Sequence, residues 1–452
     1  MTRRISIAIA AIVLSSLVLC GATDEEKYRV HVVKWYEDLS TISGKYGVPE
    51  DVIININGLQ NKKVATRQQL LIPTSEKYWT IASSSPEGGN EAETENVAEE
   101  YADTLSAFPV STVKFALAMP LDGRKESNGN NMDFYSGALM AVRALGKEGL
   151  DVEINVRNLN DPQCLEDSLA GNDFVIGPIH NNDMAKLLEK VNVESVVVSP
   201  LDNRSGNTFG KNHRFFVQAA ASLESQFSEA FVWAKDVFET RNNVKYVIIS
   251  SEMDKATLVD AENAASNANL TYSVYKTGVQ GDIIGWDITD STQLSGNKAV
   301  ILAITNEAVL NNAVRNMDIL VPQGNVTVFA GSKIRSYETI PVENLHKADI
   351  HALCPYYVDY DDAATLDFIH QYRALFNIEP SQFAFQGYDL VYFMVKSYAK
   401  YGRNWKYLIS ADEAMDMLQT SFKIRRAANG VLTNCGMKRV LYGTDYRVKL
   451  SK

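Results

Sequence analysis

Few reactive side chains in this chain of 452 residues stand in patterns that chemistry can use. Its six histidines, at positions 31, 180, 213, 346, 351 and 370, share no spacing that would converge on a metal. No H-E-x-x-H, G-x-S-x-G or G-x-x-x-x-G-K run occurs, so zinc hydrolysis, a nucleophile elbow and a phosphate loop have no foothold. Three acids, Asp122, Asp202 and Glu252, follow apolar runs that read as strands. Paired carboxylates at strand ends can act as general acid and base, but they also line cavities that only bind. Beside them stand His180, Asn181 and Asn182, after Gly177-Pro178, and Asn203, after Asp202. Free N–H groups at a helix start following Gly177-Pro178 would hold an anion, with those side chains adding donors. The same residues would equally make a turn and an N-cap. Asp202 and Asn203 have the same two readings, cleft or turn. No cofactor is implied, and the set reads as a binding surface, not a catalytic one.

Composition narrows the partners. Asp and Glu number 55 against 44 Lys and Arg, a formal charge of −11, so the chain does not seek nucleic acid or anionic lipid. Residues 1–22 read as an export signal. Arg3 and Arg4 precede an apolar run, "ISIAIAAIVLSSLVL", too short and too early for a stable membrane span. Two processing patterns stay open. Small residues at 20–22 suit ordinary signal peptidase, with Thr23 as the new start. "LVLC" followed by Gly21 resembles a lipoprotein box with Cys20 as the lipid acceptor, although Leu19 stands where that box has a small residue. The reading favours a soluble exported chain in the periplasm over one lipid-anchored to the envelope through Cys20. Four cysteines are too few for a disulfide framework. Without Cys20, the set is Cys164, Cys354 and Cys435, and sequence position alone points to Cys354–Cys435.

Positioning these residues requires elements. Tyr28 to Val33 alternates as a short strand. Asp38 can cap a helix over "LSTISGKYG", with Leu39 and Ile42 on one face. "PEDVIININ" starts a second helix, with Pro49 in its first turn and Glu50-Asp51 at its positive end. "QQLLIP" closes the unit as a strand. The βααβ order, with "YGVPEDVI", Asn57-Gly58-Leu59, Gln68 and Ile72-Pro73, resembles a LysM module over residues 28–73. That resemblance implies binding of N-acetylglucosamine polymers, here peptidoglycan, in a groove beside two loops. On this sequence the loops are Tyr36-Glu37-Asp38 and Asn57, Gly58, Leu59, Gln60 and Asn61. Amides and carboxylates there would bond hydroxyl and acetamido groups, and Tyr36 would stack on a sugar face. Tyr36-Glu37-Asp38 replaces the Gly-Asp-Thr usual in that family, and Arg67 replaces a Gly. Residues 80–110, rich in Ser, Gly, Glu and Asn, read as an acidic, flexible tether.

From Ser111 onward, apolar runs such as "TVKFALAMP", "SVVVSP", "KYVIISS" and "AVILAIT" alternate with amphipathic stretches. This is the pattern of parallel sheets covered on both faces, an α/β fold with doubly wound lobes. "FALAMPLDGRKESNGNNMDFYSGALMAVRAL" is similar to the opening of type I periplasmic solute-binding proteins, the class of the leucine/isoleucine/valine receptors. "VIGPIHNNDMAKLL" and "VVVSPLDN" resemble that family's second and third site loops. "RFFVQAAASLESQ" resembles its first crossing between lobes. "LFNIEPSQFAFQGYDLVYFMVKSY" resembles its late helix. The resemblance implies a two-lobed domain over 111–452, with lobe one at about 111–217 and 353–405 and lobe two at about 218–352. The tail, 406–452, is shared. Ligand would meet Leu121, Asp122, His180, Asn181, Asn182, Asp202 and Asn203, with Glu252 facing them. Asp202 would repel a carboxylate, so leucine, isoleucine and valine are excluded and a small ligand is expected to be neutral or sugar-like. The expected function is that of a wall-tethered, non-enzymatic binding protein. Its body would bind a cell-wall-related ligand or a partner such as a cell-wall synthase or other envelope protein, as resemblance to lipoprotein activators of penicillin-binding proteins implies. The alternative is an amino-acid-type solute receptor of a transport system.

Overall fold

The computed structural model describes residues 28–34, 36–57, 64, 69–74, 107–121, 129–161, 169, 171–192, 195–241, 243–277, 297–323, 325–427 and 429–451. They form two compact units, one within residues 1–91 and one within 92–452.

In the smaller unit, β1 (Tyr28–Val32) pairs antiparallel with β2 (Gln69–Pro73), Tyr28 opposite Pro73. Helices Leu39–Tyr46 and Glu50–Asn57 fall between them, in the expected βααβ order. Asp38 caps the first helix, accepting from the Thr41 N–H at 2.8 Å. Gly47 ends it at φ 66°, a left-handed conformation that glycine takes without a Cβ clash. Leu39, Ile42, Val48, Val52, Ile53, Leu70 and Ile72 are buried together. They are the apolar positions that the two helices and the closing strand set facing one another.

The larger unit is built on two seven-stranded sheets. The first contains β3 (Thr112–Met119), β4 (Asp151–Asn158), β5 (Phe174–Ile176), β6 (Val196–Ser199) and β7 (Phe216–Gln218). The second contains β8 (Lys245–Ser251), β9 (Tyr272–Thr277), β10 (Lys298–Ala303), β11 (Val326–Gly331) and β12 (Ile350–Cys354). The tail adds a short pair, β13 (Met415–Asp416) and β14 (Ser421–Phe422). It then gives β15 (Ile424–Arg426) and β16 (Leu432–Asn434) to the first sheet, and β17 (Lys438–Tyr442) and β18 (Val448–Ser451) to the second. Spatial order is β15-β16-β7-β6-β5-β3-β4 in one lobe and β18-β17-β12-β11-β10-β8-β9 in the other. The cores of both sheets are parallel; toward one edge of each, the pairs β15–β16, β12–β17 and β17–β18 are antiparallel. β6 and β10 are buried at every residue, as continuous apolar runs covered on both faces must be.

Helices Gly129–Lys147 and Gln382–Tyr401 pack against each other in lobe one, backbone on backbone. A Cβ at Gly137 would lie 1.9 Å from the Ala384 carbonyl oxygen, and one at Gly387 would lie 2.0 Å from that of Phe134. Residues 107–110, at the end of the stretch read as tether, lie against the body: Phe108 N–H donates to the Tyr401 carbonyl at 3.2 Å and Val110 N–H to that of Ala399 at 2.9 Å. Residues 80–106 of that stretch lie outside the described residues.

The chain passes between lobes at 219–222, 355–362 and 435–437. Asp389, fully buried, fixes the turn between β13 and β14 beside the second passage. Its carboxylate accepts from the N–H groups of Leu418 (3.1 Å), Gln419 (2.8 Å) and Thr420 (2.8 Å). Tyr357 N–H in turn donates to the Gln419 carbonyl at 2.8 Å. The Cys354–Cys435 bridge does not exist; both thiols are free. Cys354 is buried on β12 inside the second sheet, whereas Cys435 sits on the third passage, where Ser225 Oγ lies 3.7 Å from its sulfur. The two sulfurs do not meet because one lies in the core of the second sheet and the other lines a passage between the lobes. Cys164 lies outside the described residues.

Candidate functional site

A cavity of about 590 Å³ opens where the first and third passages run between the lobes. The lobe-one wall comes from two places. Asn203, Arg204, Gly206 and Asn207 follow β6, and Arg425, Arg426, Ala427, Asn429 and Thr433 belong to the β15–β16 hairpin. The lobe-two wall is the start of helix Leu223–Val237, with Glu224, Ser225 and Gln226, together with Asp260 from helix Lys255–Asn267 and Ser332-Lys333 after β11. Gln218, Ser222 and Cys435 complete the lining along the passages.

Local chemistry explains the placement. Ser222 caps the lobe-two helix, its hydroxyl accepting from the Ser225 N–H at 3.0 Å, so the chain enters that helix at the cavity. Gln218 accepts from the Gly206 N–H at 2.9 Å and donates to the Ala220 carbonyl at 2.8 Å, tying the post-β6 segment to the passage. Gln226, buried, accepts from the Ser332 N–H at 3.1 Å and holds the loop after β11. These groups are consumed in building the walls. Arg425 donates to the carbonyls of Asp412 and Ile424, both at 2.9 Å, and Arg426 to those of Gly430 (2.8 Å) and Lys406 (2.7 Å). Carbonyls orient a guanidinium without neutralising it, and among the described residues no carboxylate pairs with Arg204, Arg425 or Arg426. Burial and the neighbouring Arg214 hold the Arg426 pKa below the usual range. Opposite, burial and then the charge of Asp260 push the Glu224 carboxyl up, and burial does the same to Asp260. One wall thus carries three arginines without a carboxylate partner among the described residues, and the other a pair of acids together with Lys333. Among the described residues only Leu223 and Ala427 offer aliphatic side chains.

Of the eight residues expected at a cleft site, Asn203 alone among the described residues lines this cavity. Asp202 does not: its carboxylate accepts from the Arg204 N–H at 2.7 Å and shapes the turn. Asp202 stands outside this cavity's lining, and the cavity's own charges are those that a ligand inside it meets. Glu252 is exposed and pairs with Lys276 (3.3 Å) and Lys255 (3.7 Å). Leu121 packs against the lobe-one core, its N–H donating to Asn158 Oδ1 at 3.0 Å. His180 is exposed at the N-cap of helix Asn181–Leu188 without a capping bond. The side chains of Asn181 and Asn182, and all of Asp122, lie outside the described residues. The tail hairpin was missed. Its only sequence signal was Arg425-Arg426 ahead of the Asn429-Gly430 turn.

In the small unit, Tyr36 is 58 % exposed with Lys34 Nζ 5.8 Å from its ring centre. Glu37 turns inward. Its carboxylate, 4 % exposed, meets His31 Nε2 at 2.9 Å, the Lys34 N–H at 2.9 Å and Lys45 Nζ at 3.3 Å. The backbone N–H of Lys34, outweighing burial, holds it below the usual carboxylate range. Asp38 is engaged as the helix cap. Glu37 and Asp38 are thus parts of the module's frame, and Tyr36 is the member of that trio with an exposed ring. Asn57 ends its helix with its side chain outside the described residues, where Gly58, Leu59, Gln60 and Asn61 also lie.

The LysM domain family matches residues 31–73. No curated protein matches the chain. Among solved structures, one assigned as a branched-chain amino acid ABC transporter from Rhodospirillum rubrum is 14% identical. It covers 75% of this chain and 100% of its own, with a TM-score of 0.53. A branched-chain amino acid ABC transporter periplasmic ligand-binding protein from Burkholderia xenovorans is 9% identical, covering 75% of this chain and 94% of its own, with a TM-score of 0.48. At such identity the first of these likenesses establishes the fold of the body, and only that. Among the described residues no helix is long and apolar enough to cross a membrane.

Proposed function

From a LysM domain at residues 31–73 and a body of the type I periplasmic-binding fold, we propose that this chain is an exported, non-enzymatic receptor held at the cell wall. The LysM domain binds the N-acetylglucosamine-containing strands of peptidoglycan, with Tyr36 offering its exposed ring to a sugar face. The body takes a polar, cell-wall-related ligand between its lobes and closes on it by bending at the three passages.

The observation that carries this reading is the cavity. At about 590 Å³ it lies within the roughly 300–1,000 Å³ typical of small-molecule sites, and its lining is almost wholly charged or hydrogen-bonding. A second reading, an amino-acid-type receptor of a transport system, draws on the likeness to the branched-chain amino acid ABC transporter structure from Rhodospirillum rubrum. The lining weighs against an aliphatic ligand, because a leucine side chain would meet Arg, Glu, Ser and Asn groups and strip them of water without replacing their bonds.

The test has two arms. The purified full chain is mixed with peptidoglycan sacculi and centrifuged, then titrated calorimetrically with soluble wall fragments and with leucine. Co-sedimentation, heat with fragments and none with leucine are expected. A chain that stays in the supernatant removes the tether, and micromolar leucine binding restores the transport receptor.

A further inference from the structure

The two walls of the cavity differ in charge, three arginines on lobe one against two acids and one lysine, Lys333, on lobe two, and this difference bears on what fits between them. Arg425 and Arg426 project from the tail hairpin of lobe one, held by carbonyl groups and left without a carboxylate among the described residues. Glu224 and Asp260 stand on lobe two, close enough to act on each other. Cys435, on the passage between the lobes, lines the same cavity as Arg425 and Glu224, with Ser225 Oγ 3.7 Å from its sulfur. Asn203 and Asn207 line the space between without a hydrogen-bond partner among the described residues.

We propose that the cavity takes a short peptide in zwitterionic form, its carboxylate against Arg425 and Arg426 and its free ammonium against Glu224 and Asp260. The inference rests on reading the body as a receptor for a small polar ligand and names the class of that ligand. A guanidinium matches a carboxylate in fork geometry, and paired acids match an ammonium. The amides of Asn203 and Asn207 suit peptide groups, which both donate and accept. The volume exceeds what one amino acid fills. Such a ligand spans the lobes: one end belongs to lobe one and the other to lobe two, so binding itself draws the walls together. A stem peptide joined to muramic acid has an acylated N-terminus, so the wall compound that carries this chemistry is a stem peptide released from its sugar.

The experiment is calorimetric titration of the full chain with tri-alanine, N-acetyl-tri-alanine, tri-alanine amide and, separately, a peptide-free disaccharide of N-acetylglucosamine and N-acetylmuramic acid. Free tri-alanine is expected to bind at least tenfold more tightly than either end-blocked form. Glu224→Gln is expected to weaken tri-alanine at least tenfold and leave N-acetyl-tri-alanine unchanged, a pairing that a merely unstable variant would not give. Arg426→Gln is expected to do the converse, weakening tri-alanine while leaving the amide unchanged. Equal affinity for blocked and free peptides overturns the proposal. So does binding of the disaccharide alone, which keeps the receptor reading and transfers it to sugar. Absence of heat with all four overturns both.

Discussion

Asp389→Asn isolates one buried charge at the base of the lobes. Asp389 is fully buried, and burial, opposed by three backbone N–H bonds and the charge of Lys438, pushes its carboxyl up to about 7. In the unfolded chain an aspartate titrates near 3.9. The folded protein therefore keeps its proton while the unfolded chain has lost it, between those two values. Stability is highest below about pH 4, falls as pH rises from there to about 7, and is flat above. Each unit corresponds to about 1.4 kcal/mol, so this group alone removes about 4 kcal/mol across the window, and about 3 kcal/mol between pH 5 and pH 8. Asparagine cannot titrate. It keeps an acceptor for the N–H groups of Gln419 and Thr420 and gives up the longer bond from Leu418, at a cost of about 1 kcal/mol. The variant should be about 1 kcal/mol less stable than the natural protein at pH 5 and about 2 kcal/mol more stable at pH 8. Urea unfolding at both values, followed by the fluorescence to which the fully buried Trp405 of the same lobe contributes, measures the difference. Groups elsewhere titrate alike in both proteins and cancel. A Δ between the two proteins that is the same at pH 5 and pH 8 would show a carboxylate already ionised throughout, and would refute the reasoning.

Gly137→Ala puts a methyl group into the Ala384 carbonyl, where neither backbone can yield; a loss of about 3 kcal/mol, seen as a melting temperature lower by several degrees, is expected. Tyr36→Ala should reduce sedimentation of the full chain with peptidoglycan while leaving the melting of the LysM domain unchanged. Glu37→Ala should lower that melting, because it strips His31, Lys45 and the Lys34 N–H of their shared acceptor. Sequencing of the mature N-terminus distinguishes Thr23 from a blocked, palmitate-labelled Cys20.

Local signals marked most of the elements well. Asp38, Ser222 and Asn306 stand ahead of helices that they cap, and the buried runs in β6 and β10 declared a sheet covered on both faces. Gly137 and Gly387 were visible as motif residues, but their meaning, two backbones in contact, belongs to a pair of helices some 250 positions apart. The site was far less legible. Loops after strands were sensible places to look, yet Asp202 spends its carboxylate on a turn and Glu252 spends its own on two lysines.

The sequence by itself determined that a small βααβ module precedes an acidic body of alternating strands and helices, because periodicity, caps and turn residues act within a few positions of one another. Only the tertiary structure decided which charges meet. Arg425 and Arg426 reach a cavity with Glu224 and Asp260 because the tail returns to pair β16 with β7 in the first sheet. Strand pairing over two hundred residues of chain is set by the burial of both faces of a sheet, and no local run of residues records it.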